Sequence, residues 1–257
     1  MIGLVGRHSC LTRYTQSRRE TGHRRCRLPY AAPPDSIVGM ASTTSELPRT
    51  ARGAATRARI VAAAADLMRT RGVANTSLDA VLEASDASKS QLYHYFADKD
   101  HLVLAVIQRQ TECVLATHNP HLKRVTSIAG LRRWRDAVVE LSRDEQCAGG
   151  CPLGSFVSEL AETPAPRAAL ADGFARWRSD IVAALAAIDG TAPRAELDEL
   201  ATTLLTALQG GLLLAQTTRS TRPLELVLDL AIDRIAARLT SESRRTSGAP
   251  RARRQRR

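Results

Sequence analysis

Between Ser88 and His94 the chain reads SKSQLYH, a run whose polar residues could read a nucleic acid. Lys89, Ser90, Gln91, Tyr93 and His94 offer hydrogen-bond donors and aromatic edges, with no carboxylate among them. In the DNA major groove Gln suits adenine and Lys suits guanine, each giving about 1–3 kcal/mol of discrimination. Leu92 and Phe96 stand four apart and anchor one side of a helix, which leaves the polar residues on the other. Ser88 caps this helix and joins the DNA-facing set. Lys99 suits a phosphate at the start of the next helix, Thr76 at the start of the preceding one, and Tyr93 through its hydroxyl. Arg49 and Arg52 lead into the head as solvated charges or as an arm reaching the minor groove. Tyr95 suits either a DNA-facing or a packing role.

Three helices must hold these residues. The first is expected over Ala54–Thr70, with Ile60, Val61, Ala64, Leu67 and Met68 on one stripe and Gly72 ending it. The second is expected over Ser77–Ala84, capped by Thr76, with Leu78, Val81 and Leu82 on its apolar face. Ser85-Asp86-Ala87 is then only long enough to turn, and Asp tolerates the left-handed conformation such a turn needs. A fourth helix starts at Asp98 and runs to about Thr117, where His118-Asn119-Pro120 is expected to break it.

Arg57 to Ile107 resembles the N-terminal domain of TetR-family transcriptional regulators. The matching stretches are TRARIVAAAADLMRTRGV, NTSLDAVLEAS and SKSQLYHYFADKDHLVLAVI, with LYHYF followed by Lys99 and Leu102 as the most specific part. Asp86 stands where that family usually has Gly, and Leu82 where it usually has a small residue. The rest of the chain is helical by period, with no convincing strand. Leu131, Trp134, Val138 and Leu141 mark a fifth helix. A Gly-rich break, AGGCPLG, precedes a short sixth helix over Phe156–Glu162, stopped by Pro164 and Pro166. Leu170 to Ile188, Leu197 to Ala215 and Leu224 to Leu239 mark three more. Gly210-Gly211 inside the eighth disfavours helix by roughly 1 kcal/mol per Gly, a loss that close helix–helix approach usually offsets.

The segments GCPLGSFVSELAE and LQGGLLLAQTTRSTRPL resemble the LmrA/YxaF-like branch of the family. The resemblance implies a homodimer through residues 195–217 and 223–239, and an effector cavity among helices four to eight. Trp134, Cys151, Phe156, Phe174, Trp177 and Gln209 are its candidate lining. For any one of the aromatics, ordinary core is the competing role.

The chain has 257 residues and a formal net charge of +11. That charge sits at the ends. Residues 1–39 hold seven Arg against two acids and residues 244–257 hold seven Arg and no acid, which leaves the middle near neutral. A local basic arm beside a helix-turn-helix therefore argues for DNA more strongly than the overall charge. The five cysteines make no disulfide framework in a chain this long. Cys147 and Cys151 lack a second ligand pair for zinc, and no nucleophile–base pair or phosphate-cradling loop is visible. No run of about 18 apolar residues spans a membrane.

The expectation is an all-α protein. Residues 1–48 form a disordered extension, with Met40 as a candidate true start, and 49–101 form a helix-turn-helix DNA-binding domain. Residues 102–240 form a larger helical ligand-binding and dimerisation domain, and 241–257 a disordered basic tail. It is expected to be cytoplasmic, with no cofactor, no metal and no enzymatic activity. Its partners are a double-stranded operator and a small hydrophobic effector that releases it. The rival reading is non-specific nucleic-acid binding by the Arg-rich tails.

Overall fold

A computed structural model of the chain describes residues 50–247, with side chains to residue 239. The extension expected over residues 1–48, the Met40 start, Arg49 and the last ten residues of the basic tail lie outside the described residues. Among the described residues the chain forms nine α-helices and no strand.

The first three helices make the head. α1 (Ala51–Arg71) starts ahead of the expected Ala54 because the Thr50 hydroxyl caps it, accepting from Gly53 N at 3.1 Å. α2 (Leu78–Ser85) is capped by Ser77, whose hydroxyl accepts from Ala80 N at 3.1 Å. α3 (Lys89–Tyr95) follows a turn in which Asp86 is left-handed, at φ 51° and ψ 41°. Asp accepts that conformation more readily than most side chains.

α4 (Lys99–Leu122) leaves the head and enters the body, packing on α1 and then on α5 and α7. The break expected at His118-Asn119-Pro120 does not occur. Proline lacks an N–H, but at position 120 this removes a hydrogen bond only from the final turn. The helix still closes there, with Lys123 N donating to Asn119 O at 3.0 Å. The body continues with α5 (Ile128–Asp144), whose Leu141 is 42% exposed and so lies off the expected buried stripe. A 3₁₀ turn (Gly154–Phe156) leads into a one-turn α6 (Val157–Leu160), shorter than expected. Pro164 and Pro166 open α7 (Pro164–Ala186) instead of merely stopping the helix before it, since a first-turn proline gives up no needed N–H. α8 (Arg194–Thr218) and α9 (Arg222–Ser247) complete the chain, and α9 runs on past Thr240, where a disordered tail was expected.

One apolar cluster extends from Ile60 to Leu239 through both head and body. Beneath α4 it contains a three-ring group. Trp134 Nε1 donates to His118 Nδ1 at 3.2 Å, and the His118 ring lies 4.5 Å from that of Trp177. A ring nitrogen that accepts puts the imidazole proton on the other nitrogen, so His118 is neutral. Burial pushes its pKa down to about 4, with the His121 charge a second cause. Trp134 and Trp177 are each 1% exposed and Phe156 is 2% exposed. All three are core residues, a correction to their expected place in a cavity wall.

Gly211 explains itself by close approach. A Cβ there would lie 2.8 Å from Leu224 Cδ1 and 3.0 Å from Leu224 Cα, so α8 and α9 meet without an intervening side chain. Gly210 does not, since a Cβ there would meet no atom within 4 Å.

Gly211→Val should lower the thermal midpoint by about 3–10 °C, because the backbone at Leu224 cannot swing aside. Acid should destabilise the protein through His118. Its folded pKa is depressed, so the stabilisation is full above pH ~6.5 and is lost, by about 3 kcal/mol, as pH falls toward about 4. Chemical denaturation across that range checks this, and His118→Gln should flatten the dependence.

Candidate nucleic-acid interface and cavity

α3 presents Lys89, Ser90, Tyr93 and His94 outward, all exposed, while Leu92, Tyr95 and Phe96 are buried. Tyr95 is therefore a packing aromatic, with its ring 6.4 Å from that of Phe96 and 4.8 Å from that of His94. Arg52 is exposed in the first turn of α1. The outward residues form a donor-rich strip without a carboxylate, the polarity that base edges and phosphates require.

Three members of the expected DNA-facing set have other work. Gln91 and Ser88 form a capping box: Ser88 Oγ accepts from Gln91 N at 3.2 Å, and Gln91 Oε1 accepts from Ser88 N at 3.0 Å. Adenine recognition needs both the oxygen and the nitrogen of a Gln side chain, and here the oxygen is committed to the backbone. Thr76 is 1% exposed, and its hydroxyl donates to Gly72 O at 2.8 Å. It neither caps α2 nor offers its hydroxyl to a phosphate, because the cap has moved to Ser77. Lys99 opens α4 half-buried, with Nζ donating to Ala74 O at 3.3 Å. An ammonium has three donors, so this bond leaves two for a phosphate.

In the body a cavity of about 380 Å³ lies between the Gly149–Val157 segment and the walls given by α7 and α8. Cys151, Phe174 and Gln209 line it, as do Gly154, Leu213 and Gln216. Gln216 Nε2 donates to Ala148 O at 3.2 Å and ties the segment to α8. No Asp, Glu, Lys or Arg faces the space. Burial pushes the Cys151 thiol pKa up, opposed in part by the Gly154 and Leu153 N–H groups and by the Gln209 side chain. The thiol is thus held protonated, which removes the nucleophilic form. Gln209 Nε2 is shielded from solvent with no full hydrogen bond of its own. Among the described residues no three His, Cys, Asp or Glu side chains converge as a metal site would require.

The sequence carried signals for the wall residues it did not assign. The Gly-rich break and Gly210 in α8 are both thin places in the packing, and the cavity lies between them. Leu213 and Gln216 gave no signal, since neither the helical period nor composition tells a cavity wall from an exposed face.

Residues 60–106 match the family described as bacterial regulatory proteins, tetR family. Residues 127–229 match the C-terminal domain of LmrA/YxaF-like transcriptional regulators. An HTH-type transcriptional regulator of Mycobacterium tuberculosis (strain H37Rv) is 32% identical over 199 residues, which cover 73% of this chain and 98% of the relative. One from the lacX 3′ region of Lactococcus lactis subsp. lactis is 29% identical over 179 residues, covering 68% and 90%. The crystal structure of regulatory protein TetR from Rhodobacter sphaeroides superposes with a TM-score of 0.60 at 20% identity, covering 69% of this chain and 97% of that one. That last likeness speaks for the fold alone.

The capping box has a direct consequence. Gln91→Ala should speed hydrogen exchange at the Ser88 amide and weaken α3 by about 0.5–2 kcal/mol, whereas Gln91→Glu, which keeps the acceptor, should preserve the protection. Amide exchange followed by NMR separates the two.

Proposed function

Because the chain belongs to the TetR family of bacterial transcriptional regulators, we propose that it is a ligand-responsive repressor that binds a pseudo-palindromic operator as a homodimer. The family establishes a DNA-binding regulator and not an enzyme. The observation that carries the reading further is the outer face of α3, where Lys89, Ser90, Tyr93 and His94 stand exposed on a short, rigidly capped helix. Lys89, Ser90 and His94 contact base edges. Arg52, Tyr93 and Lys99 hold phosphates, and Gln91 and Ser88 keep the helix in shape. Arg49 belongs with Arg52 as the leading arm.

Homodimerisation is supported by apolar surface that the monomer leaves open. Leu213 and Leu214 on α8 are 63% and 53% exposed, and Leu226 and Leu230 on α9 are 46% and 69% exposed. Exposed apolar side chains on two helices that pack on each other suit an interface. Two copies of α8 and α9 brought together make a four-helix packing with two-fold symmetry. For that dimer to read two half-sites in successive major grooves, its two α3 helices must lie one DNA turn apart, about 34–36 Å.

The effector is neutral and mostly apolar, with a hydrogen-bond acceptor for Gln209. The uncharged walls disfavour an ion, and the shielded amide nitrogen rewards an acceptor. Cys151, Phe174 and Gln209 contact it. Release from DNA requires that the effector prefer one of two head positions.

Selection of duplexes from a random pool, followed by binding at several salt concentrations, tests this reading. Lys99→Ala should weaken binding to all sequences and lower the salt slope by about one unit. Lys89→Ala should instead relax the preference at one base position by about 1–3 kcal/mol. Removing residues 1–39 and 244–257 should leave sequence selection intact. If selection vanished with those tails, the protein would be a non-specific binder.

A further inference from the structure

The Gly149–Val157 wall of the cavity continues directly into α6, and α6 touches the head. Glu159 of α6 accepts two backbone hydrogen bonds from the turn between α1 and α2. Its Oε2 lies 2.7 Å from Val73 N and 3.2 Å from Ala74 N. A carboxylate accepting backbone N–H groups makes charge-assisted bonds, stronger than neutral ones. The turn is shaped for the carboxylate. Gly72 adopts φ +84°, and a Cβ there would lie 3.0 and 3.1 Å from the two Glu159 oxygens. Gly72 therefore satisfies a backbone and a space requirement together. The same turn is held from within the head by Thr76 Oγ1 on Gly72 O and by Lys99 Nζ on Ala74 O.

We propose that the Glu159 carboxylate is the catch by which the cavity controls the DNA head: it holds the α1–α2 turn while the cavity is empty and releases it when the cavity fills. This rests on the effector-responsive reading above. The physical basis is the shortness of the connection. Val157 lines the cavity and Glu159 stands two residues further on, so both belong to a single turn of helix. That turn is anchored inward by Phe156 and Leu160, both buried, and has no longer helix to stiffen it. An effector placed between this segment and Gln209 presses the segment away from α8, and the hydrogen bonds to Val73 and Ala74 lengthen. The turn then loses the restraint that α6 supplies, and the heads of the dimer spend less time at the spacing the operator demands. The route runs from cavity to head without passing along α4.

The test is a double-mutant cycle read by affinity for a selected duplex, together with amide exchange at Val73 and Ala74. A residue filling the cavity stands in for the effector. Gly154→Leu does this, since a Cβ there faces Gln209 Oε1 at 2.9 Å. Gly210→Leu enters from the opposite wall and serves if Gly154→Leu folds poorly. In the full-length protein, Glu159→Ala should lower duplex affinity about five- to tenfold and speed exchange at both amides, with Glu159→Gln intermediate. The filling substitution should lower affinity in the wild type and add nothing in the Glu159→Ala background. Unchanged affinity or unchanged exchange in Glu159→Ala overturns the proposal. So do additive losses in the cycle, or no effect of either filling substitution in the wild type. If the wild type selects no duplex, the regulator reading falls and takes this one with it. If it selects one and Glu159→Ala binds equally well, only the catch is refuted.

Discussion

One helix belongs to two cores, and the rest of the molecule is arranged around that fact. α4 runs unbroken for 24 residues, about 36 Å at the usual helical rise. Its first turns bury Leu102, Val103 and Val106 with the head, and its later turns bury Val114 and His118 with the body. A continuous hydrogen-bonded rod cannot bend cheaply without a proline or glycine in its interior. The only proline of α4 stands in its final turn. The head therefore cannot choose its position independently of the body's packing, and anything that tilts the rod inside the body moves α3. The three-ring group of His118, Trp134 and Trp177 clamps the far end of that rod, which explains why large aromatics stand there.

Much of this was legible from residues alone. The helical period located the long helices, because each carries an apolar stripe facing one shared core, and glycine and proline breaks bounded the short α6. The head was read in detail, including the left-handed Asp86, since short turns leave few conformations. What escaped detection was set by competition between side chains for the same backbone groups. Thr76 and Ser77 are adjacent and both able to cap, and only the geometry decides that Ser77 does so while Thr76 turns back to Gly72. Gln91 carries the chemistry of a base reader and of a capping-box partner in one side chain, and spacing from Ser88 admits both.

The cavity shows a different limit. Aromatic residues were the natural candidates for its wall, yet Trp134, Phe156 and Trp177 are sealed in the core and only Phe174 reaches the space. Large rings bury the most area and so are drawn to the centre of packing, whereas cavities persist where side chains are missing. The glycines at 149, 150, 154 and 210 mark this one. The uncharged wall also protects the thiol: a wall without cations cannot stabilise a thiolate, so Cys151 behaves as a small apolar residue.

The box formed by Ser88 and Gln91 reaches beyond stability. α3 has only seven residues, too few to persist by its own hydrogen bonds. With its first turn closed from both directions, the recognition helix is formed before DNA arrives, so docking spends little on ordering it. For anyone wishing to retarget this head to a different sequence, that divides the helix into two kinds of position. Lys89, Ser90, Tyr93 and His94 are exposed on its outer face, where a change of side chain leaves that closure intact. Ser88 and Gln91 make the closure, and a library that randomised them would mostly sample helices that no longer exist.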